Sequence, residues 1–414
     1  MSRTPLPRPT LLPGLPRLWR TATTLQLGLD PARAVLLDLP DAQAARLLDL
    51  LDGSRSERLA LSHATSLGLR PDEARGLLDA LHAAGLVVPA QTLFPPAMPD
   101  RLIGEAAALA FTTPPPPHPR TPPIHPPPPN PPPNPPYHHP PTSERQTPEP
   151  QAHTPEPEAH TPEPRARTPE LQARRPTSQA GPLSSPARTL RRRASARVVV
   201  TGRGRLAAGV AVALAEAGVG HLYPDLAGQV GRHEATGSPL TAADIGRPRA
   251  DAVTAAILRE APGTAVHPVR RGTAALLIHL GHDQPAALLA IAHAQRRQPY
   301  LIAAIREGRV VVGPLVPPAT APCLNCITLH RRDRDSDWPD AAPTWPNPGN
   351  APAEPCGVAT LLAATGYITG EALAYLDGTT PQTMGAEVEI STPGRFRRRT
   401  WSPHPACNCA NRTP

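Results

Sequence analysis

Four of the five cysteines fall into two close pairs far apart in the chain, Cys323-Leu324-Asn325-Cys326 and Cys407-Asn408-Cys409. Zinc prefers soft thiolates, and two such pairs supply the four sulfurs of a tetrahedral shell. The spacing predicts a site of Cys323, Cys326, Cys407 and Cys409 that pins the C-terminal tail to the domain carrying the first pair. A closed four-sulfur shell leaves no coordination position for substrate, so the expected role is structural. Cys-x-Cys is tighter than the usual Cys-x-x-Cys, which makes His404 a spare ligand. A redox pair or plain buried thiols are the competing readings. The fifth cysteine, Cys356, precedes the long apolar stretch Gly357 to Leu376. A thiolate at a helix N-terminus is reactive, but no base stands beside Cys356 in sequence. A buried structural thiol is expected there.

The second stretch with chemical potential runs Val198-Val199-Val200-Thr201-Gly202-Arg203-Gly204-Arg205-Leu206-Ala207. Three β-branched residues predict a buried parallel strand, two glycines a tight turn, and Ala207 to Ala217 a helix closed by Gly218. Gly202 permits the sharp turn. Gly204 lets backbone N–H groups approach a phosphate at the positive end of the helix. A second strand, His221-Leu222-Tyr223, leads to Asp225, an acid placed to hold a ribose hydroxyl. This is the opening unit of a Rossmann-like fold. Gly202-x-Gly204-x-x-Ala207 also satisfies the dinucleotide pattern, so an NAD-dependent oxidoreductase and an empty scaffold both stay open.

The elements that must position these residues follow from composition. The chain has 414 residues, 62 of them proline, and 3% aromatics. Prolines crowd between Thr113 and Ala196, which argues for two globular parts joined by an unfolded bridge. Residues 1–92 form the first part, 93–195 a disordered Pro-rich linker, and 196–414 the second part. The linker carries a polyproline tract, Pro114–Pro141, and Thr-Pro-Glu repeats starting at Thr147, Thr154, Thr161 and Thr168. Its His118, His125, His138, His139, His153 and His160 are read as a solvated tether rather than metal ligands.

All 42 basic residues are arginine and the formal net charge is +8. Without lysine, Schiff-base chemistry and lysine phosphate clamps are excluded. Arginine excess alone is a weak pointer, and no nucleic-acid partner is expected. The N-terminus has no apolar signal core, and Glu371 with Gly366 and Gly370 makes the 357–376 stretch a packed helix. A cytoplasmic protein without a membrane partner is expected.

In the first part, Thr23–Leu27 and Ala34–Leu37 predict strands around an Asp30-Pro31 turn. Three helices follow. Asp41 caps one that ends at Gly53, a second runs from Ser56 to Ser66, and the third starts at Pro71 and ends at Gly85. Leu86-Val87-Val88 closes the unit as a strand. This small winged-helix pattern offers no nucleophile and no metal ligand. Through Leu47 to Gly53 and the Leu77–Gly85–Leu86-Val87 ending, it resembles the PqqD-like peptide-recognition element of enzymes that modify ribosomally made peptides. That resemblance implies a leader peptide held as an added strand. A plain docking domain or a DNA-binding winged helix remains the alternative.

In the second part, Ala242 to Glu260 leads into a helix. Ala265–Val269, Ala274–Leu280, Tyr300–Ala304 and Val310–Val312 read as strands, and Gln284 to Arg296 as a helix. Such alternation predicts an α/β fold with a mostly parallel sheet covered on both faces. Gly202-Arg-Gly204, Ala217–Gly220, Asp225, Asp244–Ala250 and the paired cysteines follow one another in family order. Together they resemble the ThiF-type adenylyltransferases, the ubiquitin-activating-enzyme-like superfamily, over about residues 196–410. The resemblance implies ATP–Mg binding, with Asp225 on the ribose, Arg249 where a phosphate-facing lysine is usual, and Asp283 on magnesium. It also leaves open a homodimer through the C-terminal domain.

Departures from the family pattern count against ATP use. Arg205 replaces a glycine, Ala227 replaces an aspartate, and no Asn-Leu-x-Arg-Gln segment follows Asp225. Arg232 is offset from that segment's arginine, and losing such a cation costs orders of magnitude in rate. With the N-terminal element, the chain resembles leader-peptide-binding partner proteins that work beside YcaO-type cyclodehydratases on thiazole/oxazole-modified peptides. An active adenylyltransferase using Asp225, Arg249 and Asp283 is the alternative.

Overall fold

Alternation along one strand sets the architecture. In the segment Tyr300–Arg306, Leu301 and Ala303 join one hydrophobic core, while Tyr300 and Ile302 join another. A strand whose successive side chains enter two cores lies in a sheet covered on both faces. The computed structural model describes residues 5–29, 34–94, 103–112, 186–269, 274–281, 285–320, 322–336, 338 and 354–409.

The N-terminal region runs β1 (Pro9–Leu11), β2 (Arg17–Trp19), β3 (Thr24–Leu27), β4 (Val35–Asp38), α1 (Leu47–Leu50), α2 (Glu57–Ser66), α3 (Pro71–Ala83), β5 (Val87–Pro89), α4 (Ala90–Leu93) and α5 (Ile103–Thr112). β2, β3 and β4 form an antiparallel sheet with β3 in the middle, and β1 pairs with β5. The caps are local chemistry. Asp41 accepts the N–H groups of Gln43 and Ala44, Ser56 accepts that of Leu59, and Pro71 opens α3. Here an unbonded N–H costs nothing, so proline fits. The helix expected after Asp41 is mostly a 3-10 turn, Ala42–Arg46, with α1 as its last turn. Leu25, Leu27, Leu47, Leu51, Leu78 and Leu81 fill the core beneath these elements.

The second region runs α6 (Pro186–Ser195), β6 (Arg197–Gly202), α7 (Leu206–Glu216), β7 (His221–Leu226), α8 (Arg249–Glu260), β8 (Leu276–Leu280), α9 (Ala286–Gln295), β9 (Tyr300–Arg306), β10 (Arg309–Val316), α10 (Leu324–Arg332), α11 (Val358–Asp377), β11 (Ala386–Thr392) and β12 (Arg395–Thr400). Its sheet has seven strands in the order β12-β11-β10-β9-β8-β6-β7. β7, β6, β8 and β9 are parallel, and β10, β11 and β12 continue antiparallel. Because β6 has β7 on one side and β8 on the other, the order reverses there, and a crevice opens at the carboxyl ends of β6 and β8. The expected 357–376 helix is α11, closed by Gly378 in the left-handed conformation. Among the described residues, no helix is long and apolar enough to cross a membrane.

Two expectations change, and one hairpin was not foreseen. Ala265–Val269 is not a strand. Ala265 exchanges backbone hydrogen bonds with Gly220 and Leu222 beside β7, and Pro268 then lacks the N–H needed to continue a ladder. The β11–β12 hairpin carries no period-2 apolar signal on β12, whose six residues are all exposed. Within the span read as linker, α5 and α6 are helices, while the polyproline tract, the repeats and their histidines lie outside the described residues. The Asp30-Pro31 turn lies outside them as well.

The two regions touch. Both terminal nitrogens of Arg20 reach Asp335 at 3.1 and 2.7 Å, the Leu29 N–H donates to Glu307, and Glu105 on α5 accepts the Val358 N–H at 2.7 Å. That last contact caps α11, whose N-cap residue, Gly357, has no side chain to serve as acceptor.

At Gly202, φ is +109° and a Cβ would lie 2.0 Å from the Leu280 carbonyl oxygen. Gly202→Ala is therefore expected to destabilise the chain by more than about 1 kcal/mol, read by urea unfolding. An unchanged midpoint would contradict the tight approach of β6 to β8.

Candidate functional site

The four predicted sulfurs converge. Cys323 is the N-cap residue of α10 and Cys326 lies in its first turn, where the positive helix end favours thiolates. The tail returns after β12 to bring Cys407 and Cys409 alongside. Cys323 Sγ lies 3.9 Å from Cys326 Sγ and 3.7 Å from Cys407 Sγ, and Cys326 Sγ lies 3.3 Å from Cys409 Sγ. All four ligand atoms lie within 4.8 Å of one another. A tetrahedron of Zn–S bonds has edges of about 3.8 Å. The donor set fits a zinc ion, and Cys323, Cys326, Cys407 and Cys409 would hold it.

Electrostatics agree. Hydrogen bonding from the Cys323 thiol draws Cys326 far below the ordinary thiol range, and the same contact raises Cys323. Burial lifts Cys409 to about 11. Thiols this close cannot all ionise without a cation among them. Asn325 Nδ2 donates to Cys407 Sγ at 3.5 Å. His404 is not a spare ligand. Its Nδ1 accepts the Ala406 N–H at 3.1 Å, which leaves Nε2 to donate to Asp333 at 2.9 Å. The ring props the tail from outside the sulfur cluster.

Gly202 and Gly204 both take positive φ, at +109° and +95°, and β6 passes through this turn into α7 as expected. What lies on the turn was not expected. Glu354 Oε2 accepts the Arg205 N–H at 2.8 Å, and a Cβ on Gly204 would meet the two carboxylate oxygens at 2.3 and 2.4 Å. A Cβ on Gly281, at the end of β8, would meet the same carboxylate at 3.6 Å. The carboxylate thus sits in the crevice between β6 and β8, where a phosphate of ATP or the pyrophosphate of a dinucleotide would be cradled. A phosphate placed there would have to displace this carboxyl.

Arg205, the residue after Gly204, fixes this arrangement. Its side chain is 4% exposed, and Nη1 donates to the carbonyls of Cys356 at 2.6 Å and Glu354 at 3.2 Å. Burial raises the Glu354 carboxyl above its ordinary range, against the Arg205 N–H and the nearby arginines, which lower it. Cys356 is fully buried, and burial pushes its thiol up to about 12. That is opposite to an activated nucleophile and agrees with a structural thiol.

Arg249 is a correction. It does not stand free to meet a phosphate: it is 8% exposed, with Nε and Nη2 on Glu234 at 2.8 and 2.7 Å. It also donates to the carbonyls of Ala227 and Gln229. Glu234 is buried in the segment that lacks the Asn-Leu-x-Arg-Gln pattern, and a buried carboxylate requires a counter-charge. Arg232 opens the 3-10 turn Arg232–Ala235 that carries this glutamate. Asp225 is exposed at the carboxyl end of β7, beside Thr201. Asp283 lies outside the described residues.

No protein-family profile matches the chain, and no curated protein matches it. Solved structures do resemble it. E. coli MccB with ATP matches at 12% identity and a TM-score of 0.43, over 97% of this chain and 99% of that one. The microcin C7 biosynthetic enzyme MccB in complex with N-formylated MccA matches at 11% and 0.45, over 97% and 99%. Selenomethionine PaaA matches at 16% and 0.41, over 51% and 75%. No family and no residue role is taken from these likenesses, whose TM-scores all lie below 0.5.

Purified chain should carry about one zinc per molecule, measured by mass spectrometry of the metal. Cys407→Ser with Cys409→Ser should abolish it and lower the melting temperature by about 5–10 °C. A metal-free chain of unchanged stability would remove the centre.

The raised carboxyl of Glu354 means that the fold prefers it protonated. Its contribution is therefore fully favourable below the unfolded carboxylate range, about 4.3, and is lost as pH rises through the folded value. Glu354→Gln should melt higher than the parent at pH 7–8, and the gain should vanish near pH 4. A pH-independent difference would refute the assigned charge state.

Proposed function

We propose that the chain is a leader-peptide-binding partner in the biosynthesis of a ribosomally made, post-translationally modified peptide. The N-terminal region would act as the winged-helix, PqqD-like element. The ThiF-like region, clamped by structural zinc, would dock on a YcaO-type modifying enzyme instead of activating a carboxylate itself. The observation that carries this reading is Glu354 on the glycine turn, which replaces a nucleotide phosphate with a group of the chain's own. The tie between Arg249 and Glu234 supports it, since the cation assigned to phosphate is already neutralised.

Support at the peptide end comes from β2 and β4, which are the edges of the three-stranded sheet and have one side unpaired within it. Leu36 on β4 is 59% exposed. An edge strand with an exposed apolar side chain is what strand addition requires. Reduced thiols at a metal site also suit a cytoplasmic protein. An active adenylyltransferase keeps one observation in its favour, the exposed Asp225 at the end of β7.

Calorimetry of the full chain with the leader segment of a precursor encoded beside it should give a Kd at or below tens of micromolar. Leu36→Arg should weaken it at least about tenfold. ATP–pyrophosphate exchange should stay at background in the same preparation. Absent peptide binding counts against the proposal, and exchange that is lost on Asp225→Ala would establish the adenylyltransferase instead.

A further inference from the structure

The outer edge of the seven-stranded sheet belongs to β12, which reads Arg395-Phe396-Arg397-Arg398-Arg399-Thr400 with every residue exposed. One of its sides pairs with β11, and the backbone N–H and C=O groups of the other side have no strand in the sheet order. Arg397 and Arg399 stand opposite Glu389 and Glu387 in register. Those glutamates are already engaged. Glu389 accepts from Arg309 at 3.2 Å, and Glu387 accepts from Arg331 at 3.0 Å and from Trp401 Nε1 at 3.1 Å.

Cations from a second element converge on the same place. Around the Trp401 ring lie the guanidiniums of Arg399 at 5.0 Å, Arg334 at 5.6 Å and Arg331 at 5.8 Å. Arg334 follows α10 and Arg399 lies on β12, so two separate segments bring like charge together. No salt bridge pairs Arg334, Arg397 or Arg399 with a carboxylate among the described residues, although Glu387 bears on Arg399 as a nearby charge. The neighbouring Asp333 is engaged by His404. Burial first, and then Arg334 and Arg397, hold the Arg399 guanidinium below its usual range, as crowding of cations requires.

Charge on an edge strand commonly guards against self-pairing. One cation on β12 would achieve that, and a guard does not account for Arg334 arriving from another element. We propose that this edge is a docking strip for an acidic, extended segment of a partner protein. The segment would add to the sheet beside β12 and place its carboxylates among Arg334, Arg397 and Arg399. Side chains on one face of a strand recur every second residue, about 6.7 Å apart, so acids at alternate positions reach Arg397 and Arg399 together. A second copy of the chain is disfavoured as occupant, because two such edges repel. A peptide is favoured over nucleic acid because the unpaired backbone offers a ladder that only another peptide completes. The inference stands apart from the leader peptide, which would occupy the N-terminal sheet.

Fluorescence anisotropy of the full chain tests it with labelled octapeptides. One alternates Thr and Glu, one alternates Thr and Gln, and one carries Pro at two of the Thr positions of the acidic peptide. An oligothymidine of equal charge is the fourth probe. The alternating acidic peptide should bind, weaken with salt, and lose about tenfold or more in affinity on Arg397→Glu with Arg399→Glu. Proline should weaken it comparably, since it removes N–H groups from the ladder. Arg334→Glu, which lies off the strand, should give the same loss should the double variant melt early. No binding at hundreds of micromolar, or equal binding of the proline peptide or of oligothymidine, would overturn the docking strip. So would a salt-stable dimer that the double variant abolishes.

Discussion

The carboxyl ends of β6 and β8 approach so closely at Gly202 and Leu280 that no side chain fits between them, and the chain must then turn sharply into α7. That turn exposes backbone N–H groups at the positive end of a helix, an arrangement that draws in an anion. In this protein the Glu354 carboxyl takes that place, delivered by the segment that leads into α11. Around that contact the other features become intelligible. Arg205 spans from the turn to the carbonyls of Glu354 and Cys356 and fixes the delivering segment. Glu105 caps the helix that follows, and this ties the N-terminal region to the same place. Arg249, buried nearby, balances Glu234.

What could be read in the residues was what depends on neighbours in sequence or on strong chemical types. Asp41, Ser56 and Pro71 announce helix starts because a cap acts within three residues. Gly202 and Gly204 announce the turn because few other residues take those backbone angles. The cysteine pairs announce their own convergence because thiols so spaced suit a shared metal site. Glu354 carried no such signal: it lies 149 positions from the N–H it binds, and Glu-Pro-Cys before a helix looks like an ordinary loop. The error at Arg249 has a related cause. The buried glutamate that captures the side chain lies 15 positions away, in a segment that shows no sign of the pairing in its sequence.

The hairpin β11–β12 was missed for a different reason. Strand patterns are visible when one face is apolar, and β12 has no buried face. Its place in the sheet comes from pairing with β11, not from its own side chains. An arginine-rich run that reads as solvated loop is instead held flat, which turns scattered positive charge into an ordered row.

A metal held by the four thiols would also set how the molecule comes apart. Cys323 and Cys407 are 84 positions apart, and a tie between them encloses α11 and the whole antiparallel hairpin in a covalent ring. Within that ring the chain cannot explore the conformations open to a free tail, so the antiparallel half of the sheet borrows persistence from the clasp. Withdrawal of the ion would release that half first and leave the parallel strands standing. The protein would then fray from its arginine edge inward, and amide exchange would climb along β12 and β11 long before it reached β6.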